Sequence, residues 1–276
     1  NDIVSFCGAK PVVLSSTLES KYVPKAADLE ALITPKTKMI IINSPSNPTG
    51  SYFDQTVLRQ YADILLKHTQ ILIVTDDIYE HLLYDNLKFA NILMVEPSLK
   101  DRAVVVNGVS KAYSMTGWRI GYGAGPKHII TAMETIQGQS TSNPTSIAQA
   151  AATSALSGDQ SFIDQFKVKF QERRNLMFRI LESIDGVKLF LPSGAFYIFP
   201  DVSAIYEKPK FKQAVPAGES SLSMAFSNLL IERHNVAVVP GVAFGDDRCV
   251  RLSYALGEES IRTGVERMGA FIREFD

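Results

Sequence analysis

The chain has few of the residues that build metal centres and disulfide frameworks. Its 276 residues include two cysteines, Cys7 and Cys249, and four scattered histidines. Two cysteines cannot form a disulfide framework, and no group of histidine, cysteine and carboxylate residues has the spacing of a zinc site. We therefore expect no metal and a reducing compartment, the cytoplasm.

An excess of one charge and a long apolar run are also missing. Lys and Arg number 28 and Asp and Glu 29, so the formal net charge is −1. Because nucleic-acid binding depends on neutralising many phosphates, this balance argues against such a partner. No segment approaches the roughly 18 apolar residues of a membrane span. The first residues show neither an initiator Met nor a signal-peptide pattern, so we expect the chain to continue a longer protein.

What is present is a repeating pattern of strands and helices up to about residue 125. Residues 38–43 and 71–75 are continuous apolar runs, which is typical of strands covered on both faces. Residues 11–14, 103–107 and 120–124 are further candidate strands. Between the two apolar runs, apolar residues recur on one helical face after Asp54, a candidate helix cap. The order of strand, helix and strand predicts an α/β fold with a mostly parallel sheet.

After residue 125 the pattern becomes helical and then mixed. We predict helices over residues 126–156, broken at Asn143-Pro144, and over residues 159–184. Residues 187–191 and 196–199 resemble the two strands of a hairpin, and residues 206–221 resemble a surface loop. A helix near 222–233, strands near 237–239 and 250–254, and a helix near 258–275 follow. We predict a large domain over residues 1–175 and a small α+β domain over residues 176–276.

One lysine occupies a position suited to covalent chemistry. Lys111 follows a candidate buried strand and precedes Arg119 by eight positions. A desolvated lysine has a lowered pKa and can form a Schiff base with an aldehyde, and an arginine offers a fork of donors to a phosphate. Taken alone, a solvated lysine and a structural arginine would explain this segment more simply.

Other polar residues follow the neighbouring strands. Asn47 lies in the sequence Ser-Pro-Ser-Asn-Pro-Thr-Gly after the run 38–43, and Asp76 and Tyr79 follow the run 71–75. Individually, Asn47 is a plausible turn residue and Asp76 a plausible helix cap. In an open parallel sheet, however, ligand groups collect at the carboxyl ends of the strands. Asn47, Asp76, Tyr79 and Lys111 therefore predict a common ligand site.

The order of these motifs resembles a known family. Asn-Pro-x-Gly, Asp-x-x-Tyr, Ser-Lys-x7-Arg and a late arginine resemble the signature of fold-type-I pyridoxal-phosphate-dependent aminotransferases. The sequences Ser-Pro-Ser-Asn-Pro-Thr-Gly and Met-Thr-Gly-Trp-Arg-Ile-Gly-Tyr are similar to the bacterial aspartate aminotransferase branch. The resemblance implies the α/β fold of the PLP-dependent transferases, with a mostly parallel large-domain sheet and a small C-terminal α+β domain. It also implies a cis peptide at Asn47-Pro48 or Ser44-Pro45.

The resemblance implies a role in binding pyridoxal phosphate for five residues. Lys111 would carry the cofactor and move the proton at the substrate α-carbon. Asp76 would pair with the pyridine nitrogen and keep it protonated. Tyr79 and Asn47 would donate hydrogen bonds to the phenolic oxygen, and Arg119 would bind the phosphate.

Substrate binding and assembly are implied in the same way. Arg251, with Asn47, would bind the α-carboxylate of the amino acid, and Arg251 should share a strand face with Cys249 and Ser253. Residues 140–144 resemble a stretch that reaches the partner subunit's site, which implies a homodimer with shared active sites. Animal-type aspartate enzymes have an arginine just before this stretch, where the present chain has Gln-Gly-Gln at residues 137–139.

The implied reaction is transamination between aspartate and 2-oxoglutarate. An aromatic, alanine or prephenate aminotransferase, or a carbon–sulfur β-lyase, would use the same residues. A non-catalytic aminotransferase-like sensor module is the alternative from another class. Members of the family also have an upstream segment with a phosphate loop, an aromatic residue that stacks on the cofactor ring and a tyrosine lent to the partner, which this sequence does not contain.

Overall fold

A four-stranded sheet organises the first part of the chain. The structure, a computed structural model, describes residues 2–276. The strands β1 (Met39–Asn43), β2 (Leu72–Asp76), β3 (Ala103–Gly108) and β4 (Gly121–Ala124) lie side by side in this order. The first three are parallel and β4 is antiparallel to β3. The predicted mostly parallel sheet is therefore confirmed.

Four helices belong to this part of the described chain. They are α1 (Asp2–Phe6), α2 (Ala26–Leu32), α3 (Gln55–Lys67) and α4 (Ile92–Val95). Three of them, α2, α3 and α4, contribute residues to the same buried cluster as the sheet. The backbone N–H of Val57 donates to Oδ1 of Asp54 at 2.9 Å, so Asp54 caps α3 as predicted. Leu58 and Leu65 of α3 pack with Ile73 of β2 in a buried cluster. This packing holds α3 against the sheet.

Three helices lead from the first sheet to a second, smaller one. They are α5 (Lys127–Ser140), α6 (Ser146–Ser157) and α7 (Ser161–Glu182), with the predicted break at Asn143-Pro144. The strands β5 (Tyr197–Ile198), β6 (Val239–Pro240) and β7 (Val250–Ser253) form an antiparallel sheet in the order β5-β7-β6. The helices α8 (Ser203–Tyr206), α9 (Pro209–Ala214), α10 (Leu222–His234) and α11 (Glu258–Arg273) complete this part. No helix within residues 2–276 is long and apolar enough to cross a membrane.

Two large hydrophobic clusters occupy the two parts. One contains residues from Leu29 to Ala103, and the other contains Tyr84 and residues from Leu176 to Phe275. Helix α7 runs without a break through residue 175, where we placed the domain boundary. The division at residues 175 and 176 stays a prediction.

Three sequence-based predictions of local structure are wrong. Residues 11–14 form no strand, because Val12 and Val13 are exposed and have no strand partner within the described chain. Residues 187–191 and 196–199 do not form a hairpin: only Lys188 and Asp201 bridge, and β5 pairs with β7 instead. The supposed surface loop 206–221 contains α9, whose Phe211 is fully buried.

The turn after β1 is held against the second part of the chain. Gly50 has a φ of +68°, and a Cβ there would lie 2.6 Å from Cβ of Pro192. The N–H groups of Ser193 and Gly194 donate to the carbonyl oxygen of Gly50 at 2.9 and 3.0 Å. Only glycine combines this backbone conformation with so close an approach. Both Ser44-Pro45 and Asn47-Pro48 are cis, so the expectation of a cis peptide in this turn is confirmed.

A buried arginine joins the same segments from another side. Arg174 of α7 is 1% exposed and donates to both carboxylate oxygens of Asp85, at 2.6 and 2.9 Å. It also donates to the carbonyl oxygen of Pro192 at 2.9 Å and lies over the ring of Tyr84. The Tyr84 hydroxyl donates to the carbonyl oxygen of Ala195. Residues 192–195 are thus anchored to the first part of the chain.

Candidate active site

The carboxyl ends of β1 and β2 are tied together by an asparagine. Asn43, the last residue of β1, is in register with Asp76, the last residue of β2. Its Nδ2 donates to the carbonyl oxygen of Asp76 at 3.2 Å, and its Oδ1 accepts from the N–H of Asn47 at 3.0 Å. The side chain of Asn43 therefore fixes the position of the turn that carries Asn47 relative to Asp76.

Lys111 projects beside two aromatic rings near these strand ends. Its Nζ lies 5.9 Å from the ring centroid of Tyr79 and 5.8 Å from that of Phe196. Burial is the main cause that lowers the pKa of Lys111, and the positive charges of Arg119 and Arg251 add to it, whereas Asp76 opposes the shift. A lowered pKa increases the fraction of free amine, which is the nucleophilic form.

Asp76 is a half-buried carboxylate at the end of β2. Burial raises its pKa, while a hydrogen bond from the N–H of Ile78 at 3.3 Å and the charge of Lys111 act in the opposite direction. Asp76 does not begin a helix, so the interpretation as a helix cap is not supported. A carboxylate that is partly removed from water gains most from a cationic or protonated partner.

Tyr79 is buried against the second sheet. Its hydroxyl oxygen lies 2.9 Å from that of Tyr197, which belongs to β5. Its ring meets the ring of Phe196 edge to face, with 5.5 Å between the centroids. Burial, followed by the hydrogen bond with Tyr197, raises the pKa of Tyr79. The hydroxyl of Tyr79 therefore stays protonated and can donate a hydrogen bond.

Arg251 of β7 faces away from the second hydrophobic core. Its neighbours Val250 and Leu252 are buried in that core, as the alternation of a strand predicts. The Cζ atom of Arg251 lies 4.5 Å from the ring centroid of Tyr197 and 5.0 Å from that of Phe244. The guanidinium therefore packs against two aromatic rings.

The guanidinium of Arg251 retains donors without acceptors. Its Nη1 donates to Oδ1 of Asn47 at 2.8 Å. Its Nε is buried and has no hydrogen-bond partner among residues 2–276. Arg251 also takes part in none of the ion pairs of the described residues. A positive charge with free donors beside Asn47 can bind a carboxylate.

Arg119 lies at the exposed edge of this group. It has a left-handed backbone, with φ of +53°, after the single 3-10 turn Thr116–Trp118. Its Nη1 donates to the carbonyl oxygen of Thr116 at 2.8 Å. Its charge contributes to the lowered pKa of Lys111, so the two side chains are close enough to interact. The rest of its guanidinium is open to an anion.

The structure brings the predicted residues together and adds some that sequence reasoning missed. Lys111, Asp76, Tyr79, Asn47 and Arg251 form one group, with Arg119 at its edge. The missed residues are Asn43, Phe196, Tyr197 and Phe244. Phe196 and Tyr197 occur in the aromatic-rich sequence Gly-Ala-Phe-Tyr-Ile-Phe, which we interpreted only as a strand. Asn43 ends an apolar strand just as Asp76 does, so its sequence position indicates a place at the site equally well.

Comparisons with known proteins agree with this geometry. The family model for aminotransferase class I and II matches residues 1–268. An aspartate/prephenate aminotransferase of Nitrosomonas europaea is 46% identical over 271 residues, which are 98% of this chain and 68% of that protein. The aspartate aminotransferase of Rhizobium meliloti is 42% identical over 98% of this chain and 65% of its own length.

Solved structures give the same result. The crystal structure of the Rhizobium meliloti aspartate aminotransferase superposes with a TM-score of 0.91 and 41% identity, covering 100% of this chain and 68% of that one. The chain thus spans about two thirds of the length of the relatives it matches. The predicted fold class and the predicted class of enzyme are confirmed. The chain belongs to the aminotransferase class I and II family, within the aspartate aminotransferase branch.

Proposed function

We propose that the protein transfers the amino group of aspartate to 2-oxoglutarate, using pyridoxal phosphate bound at Lys111. One observation carries the proposal more than any other. The half-buried amine of Lys111 lies beside Tyr79 and interacts with Asp76 and Arg251, an arginine that makes no ion pair within the described chain. An amine that can attack an aldehyde and an arginine that can bind a carboxylate are the two requirements of amino-acid chemistry on this cofactor.

The residues present fit pyridoxal phosphate, the cofactor on which this family depends. The buried Nε of Arg251 has no partner within residues 2–276, and the pKa of the Lys111 amine is lowered by burial. Asp76 is a carboxylate suited to a protonated ring nitrogen, and Tyr79 is a protonated donor suited to a phenolic oxygen. When bound, the cofactor supplies a conjugated ring that accepts the electron pair of the bond broken at the substrate α-carbon.

Lys111 would hold the cofactor and later move a proton. Released as a free amine, it would take the proton from the substrate α-carbon and return it at the other end of the reacting system as general base and then general acid. The lowered pKa of Lys111 supports this role, because it increases the fraction of lysine that is unprotonated and able to accept a proton. The aromatic rings of Tyr79 and Phe196 lie beside its Nζ and contribute to its partial burial.

Asp76, Tyr79 and Asn47 would set the protonation of the bound group. The carboxylate of Asp76 would hold a proton on the ring nitrogen. The positive charge of that nitrogen would in turn offset the cost of burying the Asp76 carboxylate. The hydroxyl of Tyr79 would donate a hydrogen bond to the phenolic oxygen. The side-chain amide of Asn47 presents Oδ1 to Arg251, which leaves its Nδ2 as the donor for the same phenolic oxygen.

Arg251 and Arg119 would bind the two anionic ends of the reacting pair. Arg251 would bind the α-carboxylate of the amino acid, and its stacking on Tyr197 and Phe244 limits the orientations of its plane. This orientation decides which bond at the α-carbon lies perpendicular to the cofactor ring. Arg119 would bind the phosphate with the donors that it does not use on Thr116.

The activity is best tested by a screen of amino donors. We expect the purified protein, supplied with pyridoxal phosphate and 2-oxoglutarate, to form glutamate fastest with aspartate as donor. The screen should include alanine, an aromatic amino acid, arogenate as the donor that corresponds to prephenate, and cystathionine for β-lyase activity. Glutamate and pyruvate are the two products to measure.

The possible outcomes separate the alternatives. A higher kcat/KM with an aromatic donor or with arogenate would move the specificity away from aspartate and keep the aminotransferase. Pyruvate and ammonia from cystathionine, without glutamate, would replace transamination by β-elimination. A normal bound-cofactor spectrum without turnover of any donor would contradict the enzymatic proposal and favour a sensor module.

We also propose that the protein is a homodimer whose active sites are shared between the subunits. Support comes from an exposed apolar surface on α5 and α6, where Ile136 and Ile147 are each 71% exposed and Met133 and Leu156 are also exposed. Residues 140–144, the stretch that resembles a contact with the partner's site, lie at the end of α5 and in the connection to α6. Large exposed apolar side chains on neighbouring helices of the sequence are the kind of surface that a partner subunit covers.

We expect sedimentation to give twice the mass of the chain. Ile136→Lys and Ile147→Lys together should shift the protein toward monomer, because a buried lysine without a partner is costly at an interface. Lys100→Glu, at an exposed lysine of the 3-10 helix Pro97–Arg102, is the matched control and should leave the mass unchanged. A monomer with full activity would contradict the proposal.

A further inference from the structure

Tyr197 contacts two residues of the candidate site at once. Its hydroxyl oxygen lies 2.9 Å from the hydroxyl oxygen of Tyr79, and its ring lies 4.5 Å from Cζ of Arg251. Tyr197 is buried, and its backbone is in register with Ser253 across β5 and β7. The strand pairing therefore holds the ring against the strand that carries Arg251.

The number of available protons decides the direction of the hydrogen bond between the tyrosines. Each phenol has one proton, and burial keeps Tyr79 in the protonated form. If Tyr79 donates this proton to the phenolic oxygen of the cofactor, it has none left for Tyr197. Tyr197 must then be the donor and Tyr79 the acceptor. A donor of this kind polarises the hydroxyl of Tyr79 and strengthens its outgoing hydrogen bond.

We propose that Tyr197 is a positioning residue that commits the hydroxyl proton of Tyr79 to the cofactor and orients the guanidinium of Arg251 for the α-carboxylate. The inference rests on the function proposed above. The two tasks belong to different atoms of the same side chain: the hydroxyl acts on Tyr79, and the ring face acts on Arg251. They can therefore be separated by substitution.

The ring provides a surface that a smaller side chain could not replace. The Cζ atom of Arg251 lies over both rings, 4.5 Å from the ring centroid of Tyr197 and 5.0 Å from that of Phe244. The attraction between a guanidinium and an aromatic ring face limits the orientations that the guanidinium adopts. Phenylalanine at position 197 keeps this face and removes only the hydroxyl, whereas leucine removes both.

The test measures the pH midpoint of the visible absorbance change of the cofactor-loaded protein without substrate. Tyr197→Phe weakens the hydrogen bond from Tyr79, which leaves the phenolic oxygen more basic. That oxygen then holds the proton that it shares with the Lys111 nitrogen more tightly, so the midpoint should rise, by roughly half a pH unit. Tyr79→Phe should raise it further. In the double variant, loss of the Tyr197 hydroxyl should add nothing.

The KM for aspartate tests the second task. Tyr197→Phe should leave KM within about twofold, whereas Tyr197→Leu should raise it roughly fivefold because the ring is lost. Tyr206→Phe is the matched control. It also removes one buried hydroxyl from the second core, and that hydroxyl has no hydrogen-bond partner in the described chain. Its midpoint and KM should equal those of the unaltered protein.

The failures can be told apart. Loading of the unaltered protein with an unchanged midpoint in Tyr197→Phe would overturn the inference and leave the proposed function intact. A shift in Tyr197→Phe that is fully additive with that of Tyr79→Phe would overturn it as well, because the hydroxyl would then act independently of Tyr79. An unaltered protein that takes up no pyridoxal phosphate would overturn the proposed function and the inference together.

Discussion

Replacing Lys111 with alanine is expected to lower the rate of transamination by about 10⁴-fold or more, the upper end of the range for loss of an acid–base group. Two roles disappear with this side chain, attachment of the cofactor and movement of the α-proton. Asp76, Tyr79, Asn47 and Arg119 remain, so the variant should still bind pyridoxal phosphate without a covalent bond. Loss of attachment is therefore expected to be separable from loss of binding.

The measurement combines turnover with chemical labelling. Borohydride treatment of the loaded, unaltered protein should bleach the visible absorbance and leave the label on Lys111, identified by peptide mapping. Lys111→Arg keeps the positive charge but offers no free amine, so it should be as inactive as the alanine variant. Lys100→Ala is the control and should retain full activity, because Lys100 is exposed and precedes β3, whereas Lys111 follows it. A label on another lysine would contradict the assignment.

Replacing Arg251 with lysine is expected to lower kcat/KM for aspartate by at least about a hundredfold, which corresponds to about 2.7 kcal/mol of transition-state stabilisation. Lysine keeps the charge but loses the planar fork of donors and the stacking on Tyr197 and Phe244. The hydrogen bond to Oδ1 of Asn47 would also be lost or weakened. Orientation of the α-carboxylate should suffer along with affinity.

Steady-state kinetics, denaturation and the bound-cofactor spectrum together test the role of Arg251. The free energy of unfolding and the spectrum should hardly change, because the side chain makes no ion pair within the described chain. Arg248→Lys is a matched control three residues earlier, where the arginine is exposed and bound to Asp246. If Arg251→Lys unfolds or loses cofactor while the affinity for aspartate is normal, the α-carboxylate is bound by another residue.

Much of the first sheet could be predicted because its signals are local. The continuous apolar runs correspond to β1 and β2 within one residue at each end, and Asp54 caps α3 as its sequence position indicates. Asn47, Asp76 and Lys111 could be grouped because each follows a strand of one parallel sheet. In such a sheet, sequence position largely decides the edge at which a side chain lies.

The remaining features depend on contacts between distant residues. Tyr79 and Tyr197 are separated by 118 positions, and Arg251 and Asn47 by 204, so no local pattern indicates either hydrogen bond. Residues 187–191 were expected to pair with the next segment, but β7 competes for β5 and forms the longer ladder. The composition of residues 206–221 predicts a loop. The helix there is stabilised by burial of Phe211 against Phe226 and Phe275, and these contacts leave no signal within the segment.

The anchoring of residues 192–195 has a consequence for how substrate preference can change during evolution. Gly50 and Arg174 hold this segment from two directions, and Phe196 and Tyr197 follow directly after it. Tyr197, on whose ring Arg251 packs, is therefore held in place by contacts outside the substrate site. Arg251 would recognise the carboxylate that every α-amino acid carries, so this part of the site need not differ between enzymes with different donors. New preferences can arise at the residues that contact the side chain of the amino acid, while its α-carboxylate is still bound in the same way.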